Sequence, residues 1–259
     1  MIAQMAANLV KTMECFTQFQ PDSHVIQLNG ITLIDAGPEN ASFNSVLLNA
    51  PVENNALFED HIQVAKRYFE ARGSAWSFWI CEGLLSSSVR NSMERVFLRN
   101  NMHPIASTAG LVAETLNPPL RTLPELCLKR VQNDTTRISF CHLMSTSFDS
   151  PADQLTRIYY SDAVWKTSFQ GFIGSTEGQD VTAGAVVNSH GVTGIYAVGT
   201  LPTFRRKGYA ESLMRKMIQE TQQQEGSMPL ILQSTPAALN LYHRMGFRSL
   251  TNFFLYASK

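Results

Sequence analysis

The most informative change in hydrophobic spacing lies between residues 192 and 218. Residues 192–198 form a β-branched and aromatic run, which is typical of a strand. Apolar residues then recur at helical spacing, at Ala210, Leu213, Met214, Met217 and Ile218. The pattern therefore predicts a strand, a turn and a helix, in this order.

The N-terminal half alternates strand and helix patterns in a similar way. An amphipathic pattern predicts a helix over residues 1–20, and Asn29-Gly30 predicts a hairpin turn between two strands within residues 25–34. The further predicted elements are a strand at 45–48, a helix from Phe58 to near Gly73, a strand at 76–81, a helix around 89–97 and a strand at 105–114.

The C-terminal half repeats this alternation. Ser150-Pro151 forms an N-cap and first-turn pair that opens the second of its predicted helices. The predicted strands lie at 126–131, 169–175, 181–187, 229–234, 248–251 and 253–257. Besides the helix after residue 208, the predicted helices lie at 138–148, 152–164 and 237–247. The shared order of elements suggests that the N-terminal half is a diverged second copy of one fold.

Residues 115–124 separate the two halves. They contain three prolines, which disfavour both a helix and a central strand. We therefore predict an N-terminal α/β domain at residues 1–114, a proline-rich linker at 115–124 and a second domain at 125–259.

Composition and charge narrow the class of protein. The formal net charge is zero, which does not favour a nucleic-acid surface, and no apolar run approaches the length of a membrane span. Residues 1–20 lack the continuous apolar core of a signal peptide, so we expect a cytoplasmic protein. The four cysteines are scattered without metal-ligand spacing, so we expect buried thiols and no metal.

The turn after the strand at 192–198 has the chemistry of an anion site. It contains Pro202, three consecutive cations at residues 205–207, and then the small residues Gly208 and Ala210. The first amides of a helix lack internal partners and lie at the positive end of its dipole, so this turn suits a phosphate or diphosphate. The spacing fits neither a P-loop nor a dinucleotide-binding fingerprint.

Two motifs resemble those of the GNAT family of N-acetyltransferases. Arg205-x-x-Gly208-x-Ala210 resembles the family's pyrophosphate motif, and residues 237–247 resemble its closing helix with the ending A-x-x-L-Y-x-x-x-G-F. The resemblance covers residues 125–259. It implies an α/β (α+β) fold in which a mixed central sheet with splayed strands is flanked by helices. The smaller α/β domain that precedes it is then a degenerate repeat.

The resemblance also implies roles for individual residues. Acetyl-CoA is the implied co-substrate, with its acyl carbonyl and pantetheine arm on the backbone of Val198, Gly199 and Thr200. The implied diphosphate site comprises Arg205, Arg206, Lys207, Gly208, Tyr209, Ala210 and Glu211. Tyr242 stands where the family places a general acid. A phenol suits this role, since it can protonate a departing thiolate. Thr235 stands where the family often has an Asn that contacts the cofactor. Tyr242 as a core residue remains an alternative.

No general base is assigned. The strand at 192–198 carries no carboxylate. Glu177, Asp180 and His190 are near it in sequence and could serve, but a solvated loop residue is the preferred interpretation of each. Tyr159, Tyr160 and Trp165 fall in the region that walls the family's acceptor site, although aromatic residues at this spacing also suit a core.

The leading hypothesis is an acetyl-CoA-dependent N-acetyltransferase that transfers the acetyl group directly to a primary amine of a small molecule, peptide or protein. A non-catalytic acyl-CoA-binding sensor or scaffold is the alternative, and an unrelated nucleotide-binding protein is a third. The N-terminal half has no comparable cradle, because Glu53 and Glu59 stand where a phosphate would need cations. We therefore expect that half not to bind CoA.

Overall fold

The protein forms two compact units in a computed structural model that describes residues 1–17, 22–37 and 43–258. The N-terminal unit comprises Met1–Leu111, Gln233–Ala237 and Ser249–Lys259. The C-terminal unit comprises Val112–Leu232 and Ala238–Arg248. Residues 18–20, the last three of the helix predicted at 1–20, lie outside the described residues, as does residue 21.

Eight α-helices are described. They are α1 (Ile2–Glu14), α2 (Asn55–Ala71), α3 (Ser87–Arg99), α4 (Asp134–Phe148), α5 (Ala152–Tyr159), α6 (Asp162–Trp165), α7 (Tyr209–Glu225) and α8 (Leu239–Met245).

Eleven strands accompany them in the described ranges. They are β1 (His24–Gln27), β2 (Ile31–Asp35), β3 (Ser45–Leu48), β4 (Ser77–Cys81), β5 (Met102–Ala113), β6 (Cys127–Arg130), β7 (Phe169–Thr176), β8 (Gln179–Ser189), β9 (Val192–Thr200), β10 (Leu230–Ser234) and β11 (Arg248–Ser258).

The N-terminal unit contains strands in the order β1-β2-β3-β4-β11-β5. The pairs β1/β2 and β2/β3 are antiparallel, whereas β3/β4 is parallel and is connected through α2. β11, from the end of the chain, pairs antiparallel with β4, from Phe253 opposite Cys81 to Ala257 opposite Ser77. The first and last segments of the chain therefore complete one sheet.

The C-terminal unit contains strands in the order β6-β7-β8-β9-β10. The pairs from β6 to β9 are antiparallel, whereas β9/β10 is parallel and is connected through α7. Parallel neighbours need such a crossover, which explains why a helix follows β9. Helix α7 buries Leu213, Met214 and Met217, the apolar positions that predicted it.

The two units repeat one pattern of strand pairing. β1 to β4 with α2, and β7 to β10 with α7, each show two antiparallel pairs followed by a parallel pair across a helix. The predicted mixed α/β fold is confirmed, and the similar order of elements in the two halves extends to strand pairing.

Two predicted elements differ from the structure. The predicted helix at 152–164 is divided into α5 and α6, because the Ser161 side chain accepts a hydrogen bond from Ala163 N–H and starts a new helix. Pro151 itself stands at the N-cap of α5, without a side-chain cap. The predicted strand pair at 248–251 and 253–257 is the single strand β11, because its pairing with β4 needs no turn.

The predicted domain limits remain a prediction. The compact units group the linker, residues 115–124, with the C-terminal unit and group most of β11 with the N-terminal unit. Phe253 and Tyr256 of β11 are buried, and the Tyr256 ring stacks on Phe97 at 3.9 Å. Within the described ranges, every helix is too short or too polar to cross a bilayer.

Candidate functional site

Strand β9 bends near its end through a bulge. Its pairing with β8 passes from Ala185 opposite Tyr196 to Ala183 opposite Gly199, so two residues of β9 oppose Gly184. Ala197, one of these two, has a positive φ of 51°. Such a bulge bends the strand and increases its local twist.

The bulge lies where β9 extends beyond its parallel neighbour. The ladder with β10 runs from Thr193 opposite Leu230 to Ile195 opposite Leu232, whereas β9 continues to Thr200. Strands that separate in this way leave backbone groups available for another molecule. The predicted positions Val198, Gly199 and Thr200 lie on this continuation.

Helix α7 begins with uncapped amides. Gly208 is its N-cap residue, with φ 98° and no side-chain capping bond. Ser212 N–H donates to the Gly208 carbonyl at 2.9 Å, and no side chain caps the amides that precede this bond. Uncapped amides at the positive end of a 17-residue helix favour an anion.

The cations of this turn have different surroundings. Arg205 donates from Nε to the Thr200 carbonyl at 3.1 Å and from Nη2 to the Ser147 carbonyl at 2.9 Å, so it ties the turn to β9 and to the end of α4. Arg206 and Lys207 are exposed, and Lys207 Nζ lies 5.5 Å from the centre of the Phe204 ring. Among the described residues, neither Arg206 nor Lys207 pairs with a carboxylate.

The other side chains of the predicted diphosphate site are partly occupied. Glu211 is paired with Arg215, whose Nη2 donates to Glu211 Oε1 at 2.8 Å, so its charge at the helix start is balanced. The Tyr209 ring packs edge-on against Phe204 at 5.5 Å, and Ala210 is half-buried. The turn therefore presents backbone amides and two unpaired cations to an anion.

A side chain at Gly208 would meet the linker. A Cβ there would lie 3.1 Å from Pro124 Cδ, 3.4 Å from Arg121 Nη2 and 3.4 Å from Leu123 Cδ2. Together with the positive φ, this close approach explains why the position needs glycine.

Tyr242 lies on α8 with its ring 5.9 Å from that of Phe247. It is buried, and burial raises the pKa of its hydroxyl to about 12. The described residues provide no hydrogen-bond partner for the hydroxyl. The phenol therefore stays protonated across the physiological range and can act as a proton donor.

Thr235 falls in the other compact unit. It is exposed after β10, and its carbonyl accepts a hydrogen bond from Ser234 Oγ at 2.8 Å. Its predicted cofactor contact remains a prediction.

The three predicted acceptor-site aromatics occupy different surroundings. Tyr159 and Trp165 join Phe140 and Phe169 in an aromatic cluster, and Trp165 Nε1 donates to the Tyr159 carbonyl at 2.7 Å. Burial raises the pKa of Tyr159. Tyr160 is exposed and lines a recess of about 230 Å³ beside α4 and α5. The packing of Tyr159 and Trp165 favours the core alternative for these two.

The three candidates for a general base also have different surroundings. Asp180 accepts hydrogen bonds from Lys129 at 2.8 Å and from Ser139 and Ser175 at 2.5 Å each. Burial opposes the charged form of Asp180, but these three donors lower its pKa overall. Glu177 and His190 occupy exposed turns with positive φ. His190 precedes the first residue of β9, whereas Thr200 is its last residue. Because a strand rises about 3.3 Å per residue, the two residues lie at opposite ends of the strand.

Ser147 is a nearby residue that the sequence analysis missed. A Cβ on Gly199 would lie 2.7 Å from Ser147 Cβ, and the Ser147 hydroxyl is buried without a hydrogen-bond partner in the described structure. Arg121 was also missed, because its contact with the turn depends on the path of the linker. Nothing in the local sequence of either residue signals its position.

The arrangement suits an acyl-CoA. The uncapped start of α7 can hold a diphosphate, the separated edge of β9 can bind an extended polar arm, and Tyr242 can supply a proton. The described residues contain no group of three or more His, Cys, Asp or Glu side chains placed to hold a metal ion.

Comparisons with known proteins agree with this geometry. Residues 171–255 match the family model described as FR47-like protein. A GCN5-related N-acetyltransferase from Kribbella flavida has a similar structure, with a TM-score of 0.75 and 13% identity over 100% of this chain and 95% of that chain. No curated protein matches.

Two further similar structures also span both units. A functionally unknown conserved protein from Staphylococcus epidermidis ATCC 12228 has a TM-score of 0.66 and 13% identity over 94% of this chain and 96% of that chain. A tandem GNAT protein from the clavulanic acid biosynthesis pathway has a TM-score of 0.57 and 12% identity over 99% of this chain and 93% of that chain. The protein therefore has a GCN5-related N-acetyltransferase fold, and the resemblance to the GNAT family is confirmed.

Proposed function

We propose that the protein is an acetyl-CoA-dependent N-acetyltransferase that transfers an acetyl group directly to a primary amine of a small molecule, peptide or protein. One observation carries the proposal. In one compact unit, the uncapped start of α7 directly follows a bulged strand that extends past its neighbour. This unit also contains Tyr242.

The residues of the turn have the first task. The amides of residues 206–211 bind the diphosphate, and Arg206 and Lys207 add positive charge. Arg205 acts differently, because its bonds to Thr200 and Ser147 hold the turn against β9 and α4. Acetyl-CoA supplies the activated acyl group as a thioester.

The residues of β9 and α8 have the second task. Backbone groups of Val198, Gly199 and Thr200 orient the pantetheine arm and the acyl carbonyl. Burial raises the pKa of Tyr242 to about 12, so its hydroxyl carries a proton at physiological pH, as an ordinary tyrosine does. Its hydroxyl would donate this proton to the sulfur as the thiolate departs, and the proton that the amine nitrogen loses on forming the amide would restore the phenol.

A thermal melt tests the binding part of the proposal. Acetyl-CoA and CoA should each raise the unfolding midpoint, because a ligand that binds only the folded state stabilises it by mass action. ATP should not, unless the protein is the nucleotide-binding alternative. Release of free thiol from acetyl-CoA with a panel of amines then tests turnover. Absence of a shift with either CoA species would contradict the proposal.

A non-catalytic acyl-CoA-binding module is the second candidate. It is favoured by the state of Asp180, since the carboxylate is fully engaged by Lys129, Ser139 and Ser175. This candidate predicts acetyl-CoA binding with no thiol release above the uncatalysed rate for any amine in the panel.

A further inference from the structure

The linker, residues 115–124, packs along the start of α7. Ser212 Oγ donates to the Pro124 carbonyl at 2.8 Å, and Arg215 Nη2 donates to the Asn117 carbonyl at 2.7 Å. Asn117 N–H donates in turn to the Met245 carbonyl of α8 at 2.8 Å. These bonds fix both ends of the linker to helices that carry the candidate site.

Arg121 stands between these two attachments. Its Nη2 donates to the Arg206 carbonyl at 3.2 Å, in the turn that precedes α7. The same atom lies 3.4 Å from the position of a Cβ on Gly208. The guanidinium is therefore held at the edge of the turn that presents the uncapped amides.

The guanidinium has donors to spare. One bond to a carbonyl uses one of its five N–H groups, and no carboxylate of the described residues pairs with Arg121. The acidic side chain in the first turn of α7, Glu211, is already paired with Arg215. Arginine binds phosphate oxygens through two parallel hydrogen bonds more readily than lysine does.

We propose that Arg121 is a binding residue for the diphosphate of the acyl donor, supplied by the linker rather than by the motif at residues 205–210. The proposal rests on the function proposed above, because it assigns a further residue to the same site. It also explains why the linker is fastened at both ends, since a loose segment could not hold a guanidinium beside the helix start.

Calorimetric titration of the whole 259-residue chain tests this assignment. The ligands are CoA and dephospho-CoA, which lacks the 3′-phosphate but keeps the diphosphate. Arg121→Ala should weaken binding of both ligands about tenfold, as expected for loss of a charge-assisted hydrogen bond. Arg121→Lys should retain part of the affinity. Arg157→Ala, which removes an arginine of α5 in the same unit, is the matched control and should leave both affinities unchanged.

The outcomes separate the two proposals. Unaltered CoA affinity in Arg121→Ala would overturn the assignment of Arg121 and leave the proposed function standing. Tighter binding would also overturn it, because Arg121 would then obstruct the site. Loss confined to CoA would place Arg121 on the 3′-phosphate and contradict the diphosphate contact. Failure of the unaltered protein to bind either ligand would overturn both proposals. Unchanged unfolding midpoints of the variants without ligand establish that they fold.

Discussion

Helices α2 and α7 occupy matching places in the two units but begin in opposite ways. Each crosses between a parallel pair of strands. The Asn54 side chain caps α2 by accepting a hydrogen bond from Leu57 N–H at 2.9 Å. Gly208 starts α7 and provides no such cap. One chain thus contains the same strand pairing with a closed and an open helix start.

The charges near the two helix starts also differ, since acidic side chains flank the start of α2 and basic side chains flank the start of α7. Glu53 and Glu59 flank the start of α2, and Glu59 is paired with Arg99 at 3.6 Å. Arg206, Lys207 and Arg121 surround the start of α7. The comparison teaches that topology does not determine where an anion binds, because a few residues in one turn close or open the site. The proposal that only the C-terminal unit binds CoA follows from this difference.

The largest expected effect concerns turnover. Tyr242→Phe removes the proposed proton donor, so kcat should fall about 100-fold or more, while the Kd for acetyl-CoA should change little. Steady-state kinetics with thiol detection and a binding titration measure the two quantities separately. Tyr256→Phe alters a tyrosine of the N-terminal unit and should leave kcat unchanged. Equal kcat values in all three proteins would assign Tyr242 to the core.

The next effect concerns the open helix start. Gly208→Val places a branched side chain at φ 98° and against Pro124. Backbone strain should lower the free energy of unfolding by about 1–3 kcal/mol, and the displaced turn should weaken acetyl-CoA binding at least about tenfold. Chemical denaturation and titration at a temperature where the variant is folded measure these changes. Affinity equal to that of the unaltered protein would place the ligand elsewhere.

The reciprocal change concerns the closed helix start. Asn54→Ala removes the cap of α2 and should lower the free energy of unfolding by about 1 kcal/mol. Acetyl-CoA affinity should not change, since α2 is not expected to hold the ligand. Denaturant titration with and without acetyl-CoA checks both statements. A changed affinity would mean that the N-terminal unit contributes to binding.

The last effect concerns pH and appears only under strongly alkaline conditions. The pKa of Tyr242 is raised by burial from 10.0 to about 12, so the folded state holds this proton more tightly than the unfolded state. The resulting stability is present below pH 10 and is lost as the pH rises through about 12. The difference in unfolding free energy between the unaltered protein and Tyr242→Phe should therefore shrink across this window. A pH-independent difference would show that the phenol is not buried as described.

Much of the fold followed from local patterns. Hydrophobic periodicity located α7 because Leu213, Met214 and Met217 face the core at helical spacing. The Asn29-Gly30 turn located β1 and β2, because Asn-Gly favours the tight turn between two antiparallel strands. Local patterns failed at β11, whose partner β4 is far away in sequence, and at Ser161, whose capping bond divided a predicted helix.

The candidate site was predictable only where a turn has its own sequence signature. Residues 205–210 carry such a signature, so the helix start was found. Arg121 and Ser147 were not found, because they reach the site through the path of the linker and the packing of α4 on β9. For Tyr159 and Trp165 the sequence left an acceptor site and a core as alternatives, because aromatic residues near a site in sequence also fill a core when their rings pack together.

The most direct measurement is a calorimetric titration of acetyl-CoA into the unaltered protein and the Gly208→Val and Asn54→Ala variants. An open start at α7 and a closed start at α2 predict one molecule bound per chain, with affinity weakened by Gly208→Val and unchanged by Asn54→Ala. Two molecules per chain, or one whose affinity depends on Asn54 and not on Gly208, would contradict the account.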